Sequence, residues 1–168
     1  MLKADGILGL APTKQGTQAD LVLEELSTQG LIKASVFSML IGDQDEESKA
    51  TFGGYNASKY GDGSIQWHNL TSTHYWMLNF TGARLGSVHL NSSVRSAIVD
   101  SGTSVLLVPT SDMLLLAEYF VQFSECRFNP AIHNFLECLC SQVLFDSYPD
   151  LFISIDNVTY RLPKQSYI

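Results

Sequence analysis

Residues 96–109, Ser-Ala-Ile-Val-Asp-Ser-Gly-Thr-Ser-Val-Leu-Leu-Val-Pro, constrain the fold most, because they set one carboxylate between two apolar runs. Ala97, Ile98 and Val99 lead straight into Asp100, and residues 105–108 close the stretch at Pro109. The pattern predicts a β-strand, a tight turn and a second buried strand, with the acid at the tip between hydrophobic walls. The small hydroxyl residues beside it, Thr103 and Ser104, can donate hydrogen bonds to an ionised carboxylate. Such bonds fix an acid's position and tune its pKa. Asp-Ser-Gly alone is also ordinary turn chemistry, since Asp bonds its own backbone and Gly tolerates positive φ.

The rest of the chain reads as short strands. An apolar run with two glycines at 5–12 suggests a buried strand end. Thr17-Gln18-Ala19-Asp20 fits a capping box, and Val22, Leu23 and Leu26 share a face up to Gly30, so residues 18–29 predict a short amphipathic helix. Residues 35–42 are β-branched and aromatic, hence a strand, and the polar, charged loop 43–49 marks the main boundary. Residues 50–56 predict a strand broken by paired glycines. A glycine-rich turn and a strand with alternating Ile65 and Trp67 come next, then two strands around Gly82 and Gly86 within 75–90. After Pro109, Met113, Leu116, Ala117, Phe120 and Val121 recur at helical spacing and predict a core-facing helix. Residues 134–141 and 151–162 predict further strands, with Asp156-Asn157 as a hairpin turn. Short strands with two isolated helices indicate a mostly β protein.

With 168 residues, 45% of them hydrophobic and 16% charged, the chain can bury a core and is not a disordered tail. Seventeen acidic against ten basic residues give a net charge of −7, with no Lys/Arg cluster, which argues against a nucleic-acid surface or a polybasic membrane anchor. No apolar stretch reaches the roughly 18 residues of a membrane-spanning helix. The opening residues lack a signal-peptide pattern, with an acid at position 5 and a short apolar stretch. Five Asn-x-Ser/Thr sequons, at Asn56, Asn69, Asn79, Asn91 and Asn157, point to the secretory pathway as glycosylation candidates. Three cysteines follow, and in an oxidising compartment Cys126 is expected to pair with either Cys138 or Cys140. The Cys-Leu-Cys spacing lacks the second pair and spaced His of a zinc site, so no metal is expected. His68, His74, His89 and His133 are scattered, with no Ser-His-Asp ordering, and are read as surface or strand-face residues.

Several of these landmarks occur in the order found in one family. Ala-Ile-Val-Asp-Ser-Gly-Thr-Ser (97–104) resembles the second active-site motif of the pepsin-like aspartic proteases. Asp-Gly-Ile-Leu-Gly-Leu-Ala (5–11) resembles the strand supporting their first catalytic aspartate. Residues 34–42, 51–67 and 75–80 are similar to the course from the first lobe into the second, and 148–168 to late strands of the second lobe. The resemblance runs over nearly all of the chain. It implies a double-psi β-barrel lobe fold, truncated at both ends, with 1–45 a remnant of the first lobe and 46–168 an incomplete second lobe. It implies an aspartic endopeptidase in which two aspartates share a proton, activate one water and cleave internal bonds of polypeptide substrates without metal or cofactor. Carried onto this chain, Asp100 is the second catalytic aspartate, Gly102 and Thr103 contact it or the substrate backbone, Ser104 supports the loop, and Tyr75 and Ile98 line substrate contacts. The family also implies a secreted, lysosomal or vacuolar protein.

Only one Asp-Ser/Thr-Gly motif is present. The first catalytic loop, the tyrosine-bearing flap and the late hydrophobic-hydrophobic-Gly strand are expected outside this sequence. A lone carboxylate cannot serve as both acid and base, so the chain alone is expected to be inactive and to need the missing first lobe as its partner. Two other readings stand beside this one: self-association, with each of two copies contributing Asp100, and a non-catalytic, secreted peptide-binding glycoprotein on the same fold.

Overall fold

The computed structural model describes residues 5–14, 16, 19–42, 47–60, 64–90, 93–132, 135–139 and 142–168. The chain forms two compact units, Met1–Trp67 with Ser72–Trp76, and His68–Thr71 with Met77–Ile168.

In the first unit, α1 (Val22–Thr28) half-buries Val22, Leu23 and Leu26 and exposes Glu24 and Glu25, the face the spacing predicts. Gly30 ends it at φ 71°, a left-handed value that a Cβ disfavours. The amide of Leu31 then reaches the Leu26 carbonyl at 2.9 Å and that of Gly30 reaches Ser27 at 3.0 Å, which satisfies two otherwise orphaned helix carbonyls. An antiparallel hairpin follows, β1 (Phe37–Leu40) with β2 (Lys49–Phe52), its two strands lying on either side of position 45. A short helix, α2 (Ala57–Tyr60), is capped by Asn56, whose Oδ1 accepts from the Lys59 amide and the Ser58 hydroxyl, each at 3.0 Å. Trp76 donates its indole N–H to the Leu10 carbonyl at 2.7 Å and meets the Phe37 ring edge-on.

The second unit is built on a five-stranded antiparallel sheet. Its long strand β3 (Met77–Leu85) pairs with β4 (Val88–Leu90), β5 (Ser96–Ile98) and β8 (Leu151–Ile155), and β8 pairs with β9 (Val158–Leu162). The register slips between Phe80 and Gly82, which makes a bulge in β3. Leu85, Leu151 and Ile155 are buried in this sheet. Tyr148 is buried against Phe120 and Phe123, which brings the helix α3 (Thr110–Phe120) and the residues just after it into the same core. Gly86, at φ 57°, turns β3 into β4, and a Cβ there would meet the Tyr119 hydroxyl. Asp156 and Asn157, at φ 47° and 65°, make the two-residue turn between β8 and β9, with both central residues at positive φ as hairpin twist demands. A separate hairpin, β6 (Cys126–Asn129) with β7 (Phe135–Cys138), sets Cys126 opposite Cys138 and joins them by a disulfide. A fourth helix, α4 (Gln142–Ser147), precedes β8.

The mostly β character stands, with four α-helices among the described residues rather than two. Several local expectations do not. Residues 5–12 make no strand, and Ile7 is 89% exposed, because no strand pairs with them among the described residues. The segment 64–70 has no regular structure either, so Ile65 and Trp67 do not alternate across a sheet. Residues 105–108 form no second strand and run irregularly into α3, with Val105, Leu106 and Leu107 exposed. The capping-box reading of Thr17 and Gln18 lies outside the described residues. Asp20 is instead ion-paired with Lys14 at 2.5 Å, and α1 starts after Leu21 without a side-chain cap. Just past the end of α3, Val121 is exposed, while Asp112, in the first turn, is buried.

Candidate functional site

Asp100 lies two residues beyond β5, which is held to the first residues of β3 by Ile98↔Met77, Ala97↔Leu78 and Ser96↔Asn79 pairing. The backbone then turns at Ser101 and Gly102, closed by the Thr103 amide on the Asp100 carbonyl at 3.3 Å. Each carboxylate oxygen receives its own donor. The Gly102 amide reaches Oδ1 at 2.9 Å, and the Thr103 hydroxyl reaches Oδ2 at 2.6 Å. A Cβ on Gly102 would come within 3.1 Å of Oδ1, so the backbone approach is one that glycine makes easily.

These donors favour the ionised form. The Thr103 hydroxyl first, and the Gly102 amide second, hold the Asp100 carboxyl below the ordinary carboxylate range, against a small opposing desolvation. The acid is exposed and its apolar neighbours are too, with Ile98 at 51%, Val99 at 61% and Leu107 at 76% exposure. The expected hydrophobic walls are therefore not closed over it. Chemically, the arrangement is an ionised acceptor of fixed orientation, suited to taking a proton from a bound water. Its two bonded partners are donors, and among the described residues no group of three or more His, Cys, Asp or Glu is assembled that could hold a metal ion.

Of the other candidates, the Ser104 side chain is exposed and makes no hydrogen bond among the described residues. Ile98 ends β5. Tyr75 belongs to the first unit and is half exposed. The disulfide uses Cys126 and Cys138, while Cys140 lies outside the described residues. Asn56, Asn69 and Asn157 are exposed, Asn79 is half-buried in β3, and Asn91 lies outside the described residues.

One cluster was not legible in the sequence. His68, expected on a surface or a strand face, has a side chain only 11% exposed. Its Nδ1 lies 2.9 Å from Asp156 Oδ2 and its Nε2 2.6 Å from the Tyr160 hydroxyl, while Asn79 donates to Asp156 Oδ1 at 2.9 Å. Asn79 first, then His68, hold the Asp156 carboxyl below its ordinary range. Its members come from positions 68, 79, 156 and 160, which no local spacing connects. His74 and His89 are exposed, and His133 lies outside the described residues.

A family model described as eukaryotic aspartyl protease matches residues 1–168. Among curated relatives, Pepsin II-1 of Oryctolagus cuniculus is 33% identical over 167 residues, covering 98% of this chain and 41% of the relative. Pepsin A of Bos taurus is 30% identical over 166 residues, covering 98% of this chain and 42% of the relative. The chain thus spans about two-fifths of the length of these relatives. In fold it matches the crystal structure of an aspartic proteinase from Irpex lacteus with a TM-score of 0.72, at 24% identity, over 96% of this chain and 50% of that one. No helix among the described residues is long and apolar enough to cross a membrane.

Proposed function

Since the chain belongs to the eukaryotic aspartyl protease family, we propose that it carries one of the two catalytic carboxylates, Asp100, of an aspartic endopeptidase that hydrolyses internal peptide bonds. The observation that carries this reading is the Asp100 carboxylate, ionised and oriented by one donor on each oxygen. The second carboxylate comes from a preceding lobe. Two such acids close together do not both ionise easily, so the pair holds one proton and titrates as a unit. The ionised member takes a proton from the shared water, which attacks the peptide carbonyl. The protonated member donates to the carbonyl oxygen, and the tetrahedral intermediate collapses without a covalent adduct to the enzyme.

Residues 46–168 are read as the second lobe and 1–45 as the end of the first, although the compact units divide near Trp67–His68 and keep the paired strands β1 and β2 together. Gly102 and Thr103 hold the acid, Ser104 supports the loop, and Ile98 and Tyr75 meet a polypeptide substrate. The Cys126–Cys138 disulfide and the sequons support a secreted, lysosomal or vacuolar glycoprotein.

The test is cleavage of a denatured protein substrate at acidic and neutral pH. The 168-residue chain alone should cleave nothing. The longer protein, with a second Asp-Thr/Ser-Gly loop, should cleave at acidic pH and lose about 10³-fold or more in rate in Asp100→Asn, the scale of losing a general acid–base group. Undiminished cleavage by that variant would refute the assignment. Acid cleavage by the 168-residue chain that vanishes in Asp100→Asn would mean that a second copy supplies the other aspartate.

A further inference from the structure

Two sequons of the same type, Asn79-Phe80-Thr81 and Asn157-Val158-Thr159, meet face to face in the second unit. Sequence does not separate them, since each has a large apolar residue between Asn and Thr. Their surroundings do. Asn79 sits in β3 between two bonded neighbours, with Ser96 of β5 opposite it and its carbonyl accepting the Asp156 amide at 3.1 Å. Its side-chain nitrogen, the atom a glycan would occupy, donates to Asp156 Oδ1 at 2.9 Å. The hydroxyl of Thr81, the other functional group of that sequon, accepts the Asn157 amide at 3.2 Å. The first sequon is therefore clasped by the β8–β9 turn. The second is that turn: Asn157 is at its tip, exposed, at φ 65°, and Thr159 is exposed beside it with its hydroxyl on Ser154 Oγ at 3.0 Å, so what separates the two sequons is the asparagine side chain.

We propose that Asn157 is an acceptor of an N-linked oligosaccharide and that Asn79 is not, because its amide is the donor that ties β3 to the β8–β9 turn. The proposal rests on the secretory compartment proposed above. In the transfer, the Asn157 nitrogen attacks the anomeric carbon of a polyisoprenyl-pyrophosphate-linked oligosaccharide. The carbon–oxygen bond to pyrophosphate breaks, the carbon–nitrogen bond forms, the nitrogen gives one of its two protons to solvent, and the lipid pyrophosphate leaves. At the exposed turn the added sugar displaces no protein contact. At Asn79 the same sugar would have to lie where Asp156 and the β8–β9 turn now pack, so chains modified there cannot close the clasp and do not reach the folded pool.

The test expresses the longer protein that contains these 168 residues behind a supplied secretory leader in glycosylating eukaryotic cells, so that entry into the lumen does not depend on its own targeting. Soluble luminal and secreted chains are treated with peptide N-glycosidase in heavy-oxygen water, which converts each formerly glycosylated Asn to a mass-labelled Asp. Label at residue 157 and none at residue 79 is the expected result, and Thr159→Ala should remove the label at 157. Label at Asn79 in soluble chain, or its absence at Asn157, overturns the proposal. Asn79→Gln should lower the yield of soluble chain severalfold with the glycan pattern unchanged, and a parental yield would refute the clasp. Expression of the longer protein with its own N-terminal segment in place of the supplied leader reads the compartment separately, so failure there does not mimic failure of the acceptor assignment.

Discussion

The two ends of β3 are stabilised by different physics. At its C-terminal end, residues 83–85 pair with β4 and with β8, and Leu85 is 1% exposed in the sheet core. At its N-terminal end, residues 77–79 pair with β5, which runs out into the exposed loop of Asp100. The first end is held by buried apolar area, which is collective and insensitive to pH. The loop is held by directed bonds to a carboxylate, which are strongest while that group is ionised. The sheet therefore decides where the acid is, and the two donors after it, Gly102 and Thr103, decide which way it points. The two jobs should separate cleanly under mutation.

The largest stability effect is expected in the sheet core. Leu85→Ala should cost about 3 kcal/mol, the usual price of a buried leucine truncation, read as a lower urea midpoint. Asp100→Asn should leave that midpoint near the parent's. If both variants shifted it equally, the loop would be part of the core and the comparison would fail. Gly86→Ala comes next, at about 1–2 kcal/mol, because the added Cβ meets a left-handed backbone and the Tyr119 hydroxyl together. A parental midpoint would mean that the tyrosine moves aside and the turn relaxes.

A pH series sharpens the contrast further. The Asp156 carboxyl is held below its ordinary range by Asn79 and His68, so its folded pKa is lower than its unfolded one, near 4. Its contribution is complete above that unfolded value and is lost as pH falls through the folded one. Asp156→Asn should therefore be less stable than the parent at neutral pH, and the gap should narrow below about pH 4. A gap constant with pH would show that Asp156 acts through its neutral hydrogen bonds alone. The Asp150 carboxyl, held down chiefly by Arg161 at 2.5 Å, keeps part of the acid sensitivity in such a variant.

What the sequence made legible follows the range of the interactions. The α1 face, the Gly30 stop, the β1 and β2 strands, the Asp156–Asn157 turn and the α3 helix depend on neighbours a few residues apart, and all are present. The Asp100 turn with its Thr103 donor was legible for the same reason. Residues 5–12 and 105–108 misled because an apolar run reports a need for burial, not the partner that satisfies it. Val105 to Leu107 are as apolar as any strand here, yet no strand lies beside them among the described residues. The His68–Asp156 contact spans 88 positions, and nothing in the local pattern marks either residue for the other. Four-residue α2 and six-residue α4 are too short to carry a readable helical period.

The smallest expected effect is the most direct probe of the loop. Thr103→Val keeps the shape of the side chain and removes the hydroxyl that donates to Asp100 Oδ2. This is the larger of the two interactions that lower the carboxyl, so the Asp100 pKa should rise toward its ordinary value while the Gly102 amide still holds Oδ1. Titration of the side-chain carboxyl carbon by NMR would read the shift, with the urea midpoint within about 0.5 kcal/mol of the parent because the site is exposed. An unmoved pKa would show that water replaces the hydroxyl without loss. A rising pKa with an unmoved midpoint would show that the loop tunes its acid independently of the sheet that carries it. If Asp100 is one of a pair sharing a proton, as proposed above, the same substitution in the longer protein should also move the acid side of its rate profile.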